Sequence, residues 1–288
     1  GGNTITINGG GNTVSAANGD TINLSGNGTT GANGGIDTVN MYYGTINVSA
    51  NTDVQGNYSG NTINVANNDT VSVSGNANTV TSTGSNTSIS VTGNNNIVNA
   101  VASDTVTIAG NGDTVNTTGA ATISLSGYSN IVNAYSGSSI TLATNATATI
   151  NGSNLTIQGN GNHYQFARGA GQDILTNGLS TNTGPSGELD MGTNIAKDQI
   201  WFEKVGNNLQ VDILGTTDHM TINNWYSNSY SQLSSIHTAA GNVIDTQIAQ
   251  LVQAMATYSA NNSGFNPTTA TAMPTDPTLQ STLAASWH

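Results

Sequence analysis

From Asn12 to Ile157, hydrophobic and polar positions alternate in short runs of the form x-Thr-hydrophobic-x-hydrophobic, cut by Gly, Asn and Ser. Asn61-Thr62-Ile63-Asn64-Val65, Asp69-Thr70-Val71-Ser72-Val73 and Asp104-Thr105-Val106-Thr107-Ile108 are examples. A period of two marks a strand with one buried face. Ile63 and Val65, Val71 and Val73, Ile89 and Val91, Val106 and Ile108, Ile123 and Leu125, and Ile140 and Leu142 are predicted to face inward. Thr62, Asn64, Thr70 and Ser72 then face outward. Runs this short cannot bury a face alone, so repetition at a fixed spacing implies stacking of neighbours.

The runs sort into two columns. One starts at Asp20, Asp37, Thr52, Asp69, Thr87, Asp104, Ala121 and Ser138, the other at Gly44, Asn61, Asn78, Asn95, Asp113 and Ser129. The step within each column is nearly constant, which is the mark of a repeat architecture. This predicts an all-β fold, a right-handed parallel β-solenoid over residues 1–159 with two short strands per coil. The spacing loosens near Gly26–Gly35, which predicts an inserted loop. Corners such as Gly75-Asn76 and Gly93-Asn94-Asn95 carry the residue types that tolerate positive φ. Asn61, Asn78 and Asn95 are expected to stack their amides. Tyr42 and Tyr43 read as surface residues at a strand end.

Residues 160–258 read as a C-terminal β cap with one helix. Trp201, Phe202, Leu209, Val211, Ile213 and Trp225 bring the bulk that the repeat lacks. Leu209–Ile213 alternates as a strand, and Met220-Thr221-Ile222 suggests its hairpin partner. A helix is predicted over 245–258, capped by Asp245 or Thr246, with Ile248, Leu251, Val252 and Met255 on one face. Residues 259–288 hold Pro267, Pro274 and Pro277 among Asn, Thr and Ala, and read as a flexible tail.

Composition narrows the function. The chain of 288 residues has no Cys, 3 Lys+Arg against 15 Asp+Glu, and a formal net charge of −12. A disulfide scaffold is excluded. Nucleic acid and anionic membrane are poor partners for such a charge, whereas cations are favoured. No run is apolar and long enough to span a bilayer. Before Arg168 the only charged side chains are Asp20, Asp37, Asp53, Asp69, Asp104 and Asp113, and no His precedes His163. His163, His219, His237 and His288 lack metal-ligand spacing, and Glu188 and Glu203 show no evident partner in the sequence. An enzyme needs convergent titratable groups, so the expectation is a non-catalytic protein. The chain begins Gly-Gly rather than Met and shows no signal peptide, which suggests a fragment or processed product. Aspartates 20, 37, 69 and 104 are assigned to one turn position, either as turn formers or as calcium ligands.

Gly35-Ile36-Asp37-Thr38-Val39, Asn18-Gly19-Asp20-Thr21-Ile22, Asn67-Asn68-Asp69-Thr70-Val71 and Asn111-Gly112-Asp113-Thr114-Val115 resemble the nonapeptide of the repeats-in-toxin (RTX) family. Tyr164-Gln165-Phe166-Ala167-Arg168-Gly169-Ala170-Gly171-Gln172-Asp173-Ile174, then Asp198–Phe202, Gly206–Leu209, Leu214–Asp218 and Ile222–Tyr226, are similar in order and spacing to its haemolysin-type calcium-binding-related domain. The resemblance implies a degenerate β-roll that binds Ca²⁺ at its turns. Asp173 with Gly169 and Gly171 would form the best site, Asp190 and Asp218 weaker ones, and Asp20, Asp37, Asp69, Asp104 and Asp113 further ones along the repeat. It also implies a secreted, extracellular location, and the end Leu283–His288 resembles an uncleaved type I secretion signal. Expected partners are calcium, the type I machinery, and a second copy or another surface or matrix protein. Three functions stay open: a structural or adhesive module, an ice-binding solenoid using rows such as Thr105-x-Thr107, and a glycan-binding module.

Overall fold

Each alternating run is a strand, and successive strands fall in turn into two parallel sheets. The structure is a computed structural model that describes residues 1–26, 35–49, 52–144 and 146–288. It is a parallel β-solenoid with two helices near the C-terminal end, and it divides into two compact units, Gly1–Thr141 and Leu142–His288. The sequence alone places that division at residue 159.

In the first unit one sheet runs from Thr4–Asn8 through Thr21–Ser25, Thr45–Val48 and Thr62–Val65 to Asn130–Asn133. The other includes Asp37–Asn40, Thr70–Ser74, Ser88–Thr92, Thr105–Ala109 and Thr122–Ser126. The register sets like on like: Ile46, Ile63 and Val80 are partners across one sheet, and Val71, Ile89, Val106 and Ile123 across the other. These side chains are at most 1% exposed, so the two inner faces form continuous aliphatic columns. Each such side chain contributes about 1.5–3 kcal/mol on burial. The Thr, Ser and Asn positions between them face outward, as the alternation requires.

The columns differ from the expected ones near the start of the chain. Thr21 pairs with Thr45 and Thr13 with Thr38, so Asp20 belongs above Gly44 and not above Asp37. The cause is a longer coil between these partners, so that the interval from Asp20 to Asp37 equals an ordinary coil only by coincidence. Asp37 in turn is the partner of Val54 and not of Thr52, because a full coil separates Asp37 from Val54 and the expected step to Thr52 is two positions short. The predicted inserted loop falls mostly on 27–34, outside the described residues. Asn95 and Ser129 each sit at the corner with φ 58°, so the residues at the column position are Asn96, just before the strand Ile97–Ala100, and Asn130.

The second unit keeps parallel pairing and then departs from it. Thr156–Gly159, Gln172–Asn177 and His219–Ile222 are parallel neighbours, and Asn208–Ile213 and Ile200–Val205 follow antiparallel. The expected hairpin is present, with Val211 opposite Met220. A second sheet holds His163–Phe166, Glu188–Met191 and Ser235–His237 in parallel, with Val243–Ile244 antiparallel at its edge. Tyr164, Phe166, Trp201, Phe202, Leu209, Val211 and Ile213 are at most 1% exposed.

Helix α1 spans Ile248–Asn261 and buries Ile248, Leu251, Val252 and Met255, the predicted face. Its N-cap is Gln247, which makes no side-chain cap, in place of Asp245 or Thr246. Residues 259–288 are not a loose tail. A second helix, α2, spans Pro277–Ser286, with Leu279 and Leu283 buried. Asp276 Oδ1 caps it by accepting from the Leu279 amide at 2.9 Å. Pro277 is its first residue, where a missing N–H costs nothing, although in sequence it resembles a breaker. Phe265 lies on Trp201, ring centroids 4.5 Å apart, and Trp287 stacks on Phe202 at 6.4 Å. Among the described residues no helix is long and apolar enough to cross a membrane.

Candidate functional site

At the corners before many of the described strands, a buried side-chain oxygen reaches to the coil before it. Oδ1 of Asn61 accepts from the Gly44 amide at 3.0 Å, that of Asn78 from Asn61 at 2.9 Å, and that of Asn96 from Asn78 at 2.9 Å. Asp113 accepts from Asn96 at 2.7 Å, and Asn130 from Asp113 at 2.9 Å. In the other sheet Asp37, Asp69 and Asp104 accept from the amides of Asn12, Thr52 and Thr87 at 2.8, 2.7 and 2.9 Å. The second oxygen closes the residue's own corner: Asp69 and Asp104 accept from Ala66 and Val101, each at 2.9 Å. At these two buried corners each bond to the carboxylate is worth roughly 1.5–3 kcal/mol. Asp20 closes its corner in the same way, accepting from Ala17 at 2.9 Å. The Asn3 amide holds the Asp20 carboxyl below its ordinary range. Burial pushes that of Asp113 up. Asp113 Oδ2 is buried without a hydrogen-bond partner, whereas the Asn130 side-chain amide donates to Gly110 O and Ser126 O at 3.1 and 3.3 Å.

These corners do not fit calcium, which wants about six to eight oxygens converging on it. The aspartates instead accept backbone N–H groups. Nor does mutual repulsion call for a cation. In the sheet that holds Thr70–Ser74 the corner order is Thr52, Asp69, Thr87, Asp104, Ala121, Ser138. The carboxylates of Asp69 and Asp104 therefore stand two coils apart, about 9.5 Å. With divalent metals first removed, melts with and without millimolar calcium are expected to coincide. Calcium at a hundredfold excess over its Kd would add about 2.7 kcal/mol, so a rise of several degrees would restore calcium to the fold.

Around the turn at Gly169 (φ 84°) and Gly171 (φ 68°) the structure brings together Asp173 and Asp218. Asp218 accepts from the amides of Gly169 and Gly171 at 2.8 and 2.9 Å, and Asp173 from Leu155 at 2.8 Å. The glycines thus offer donors to a carboxylate. Asp173 is pushed up to about 6, first by burial, with the Asp218 charge adding to it against the Leu155 bond. A cleft of ≈ 420 Å³ opens beside it, lined by Asn151, Ser153, Gln165 and Arg168 among others. Asp190 lies in the other sheet of this unit.

Asp190 belongs to a cluster that sequence reasoning misses. Register sets His163 beside Glu188 beside Ser235, and Asp190 beside His237. The residues between them, Tyr164, Leu189 and Ile236, are fully buried, so all five polar side chains share the outward face. His163 Nδ1 is 3.4 Å from Glu188 Oε2 and 3.6 Å from Asp190 Oδ2, and His237 Nε2 is 3.8 Å from Glu188 Oε2. Glu188, Asp190 and His237 present ligand atoms within 4.8 Å of one another. The Ser235 hydroxyl meets His237 Nε2 at 2.8 Å. Glu188, partnerless in the sequence, has two imidazoles beside it.

The outward faces of the first unit carry two kinds of row. On one sheet, side-chain amides bond from coil to coil: Asn47 to Asn23, Asn64 to Asn47, Asn116 to Asn99 and Asn133 to Asn116, at 2.8, 2.8, 2.9 and 2.8 Å. On the other, the hydroxyl pairs Thr70/Ser72, Ser88/Ser90, Thr105/Thr107 and Thr122/Ser124 are in register. Tyr42 and Tyr43 are exposed as expected, and Tyr42 stacks on Tyr58 at 4.6 Å. No protein-family model matches the chain.

Proposed function

We propose that this chain is a non-catalytic extracellular structural or adhesive module, the C-terminal part of an RTX-like surface or matrix protein exported by a type I system. The observation that carries the reading is the coil-to-coil amide row on the face of the first unit. Such a face is neutral, repeats at the strand spacing and still has donors and acceptors to offer. It suits contact with a second copy or with another matrix protein of similar make. Corners built from amide and carboxylate acceptors keep the coils together in place of calcium.

Light scattering and electron microscopy of concentrated protein test this. The expected result is concentration-dependent assemblies or filaments that disperse when Asn64 and Asn116 are changed to Asp, because like charges then line the face. A monodisperse monomer at every concentration would sink the self-association reading. The in-register hydroxyl pairs support a second reading, an ice-binding face, with spacings of about 6.7 Å along a strand and about 4.8 Å between strands. Absence of thermal hysteresis would end it.

A further inference from the structure

We infer that His163, Glu188, Asp190 and His237 form a site for one divalent transition-metal ion of the zinc class. Four donors stand on three neighbouring strands whose register fixes their spacing. Two ligands held about 2.0–2.1 Å from a tetrahedral zinc lie roughly 3.4 Å from each other. The separations of 3.4, 3.6 and 3.8 Å are close to that edge already. Glu188, Asp190 and His237 already present ligand atoms within 4.8 Å of one another, and His163, 3.4 and 3.6 Å from the two carboxylates, joins them by rotation of its exposed side chain. Two carboxylates balance a dication, and the imidazoles select zinc, copper or nickel over calcium, which prefers an all-oxygen shell.

Four protein donors fill a tetrahedron. That is the pattern of a closed, structural zinc site, since a catalytic one keeps a position open for water. The ion would staple His163 to His237 across the strand between them. The Ser235 hydroxyl must yield His237 Nε2 to the metal. The strand Ser235–His237 pairs with Val243–Ile244, and Val243 exchanges both backbone bonds with His288. Metal at the cluster would therefore also steady the last residue of the chain. The inference stands on the cluster alone and is independent of the calcium corners and of the proposed role.

Calorimetry on the full metal-stripped chain titrated with Zn²⁺ is the test, with Co²⁺ absorption as a second readout. One equivalent per chain is expected, with the visible bands of tetrahedral cobalt. His163→Ala, His237→Ala and Glu188→Gln should each weaken binding tenfold or more, as even losses behind the ligand shell cost about 10–100-fold. His219→Ala, on the other sheet, should leave binding unchanged. All these side chains are outside the core, and circular dichroism checks that each variant folds. No zinc equivalent, variants that bind like the wild type, or displacement of Zn²⁺ by modest excess Ca²⁺ would overturn the assignment.

Discussion

Trp287→Ala is expected to destabilise the unit Leu142–His288 by about 3 kcal/mol, the lower end for losing a buried aromatic. Trp287 is only 5% exposed, and its ring stacks on Phe202, which is itself 1% exposed. Truncation leaves a cavity beside Phe202. The value stays at the low end because Trp287 Nε1 is buried without an acceptor, so its removal also relieves a desolvated donor. Urea unfolding followed by tryptophan fluorescence reads the effect. All three tryptophans, 201, 225 and 287, lie in this unit, and two remain in the variant. Trp287→Phe should recover most of the loss. A variant within about 0.5 kcal/mol of wild type, the range of ordinary surface changes, would mean that residues 259–288 are no part of the folded unit.

The second large effect is on pH dependence. Asp212 is 5% exposed and is pushed up to about 7, by burial first, with the Glu203 charge adding to it and the Gln210 bond opposing. In the unfolded chain an aspartate titrates near its ordinary value, about 3.9. Below that value both states are protonated and nothing is lost. Between the two values the unfolded chain ionises while the folded one keeps its proton, so stability falls as pH rises. Above about 7 the loss is complete. A gap of about three units is worth at most about 4 kcal/mol. Asp173, pushed up to about 6, acts in the same direction. The same unit should therefore be more stable near pH 5 than near pH 8 by fluorescence-detected urea unfolding. Asp212→Asn, neutral and of the same shape, should flatten most of that slope and stabilise the protein at the alkaline end. A wild type more stable at the alkaline end, or a variant with an unchanged slope, would refute the account.

What the sequence discloses follows from what a strand's period can carry. Alternation identifies the side that Ile63, Val71 or Val106 faces, and each of them is buried. It says which residues point outward but not which strands adjoin. His163 and His237 are far apart along the chain, and only the parallel register of three strands makes them neighbours. An outward acid or imidazole flanked by buried residues, as in His163-Tyr164 or Asp190-Met191, is the available signal. Asp20 is misplaced by counting because a longer coil shifts the count. Asn95 and Ser129 pass for strand starts because a left-handed corner residue and the residue after it share one composition. Residues 259–288 pass for a loose tail because proline at the first turn of a helix looks, in sequence, like proline that prevents one.

The alternation of charged and neutral corners in the sheet that holds Thr70–Ser74 bears on how such an array can lengthen. Copying only the coil that carries Asp69 would place two buried carboxylates about 4.8 Å apart, at a cost of about 3.5 kcal/mol with an effective dielectric of roughly 20. Copying an Asp-bearing coil together with its Thr-bearing neighbour preserves the spacing and avoids that cost. Duplication by pairs of coils, such as the interval from Asp69 to Asp104, is thus the step that natural variation can take without first discarding an aspartate.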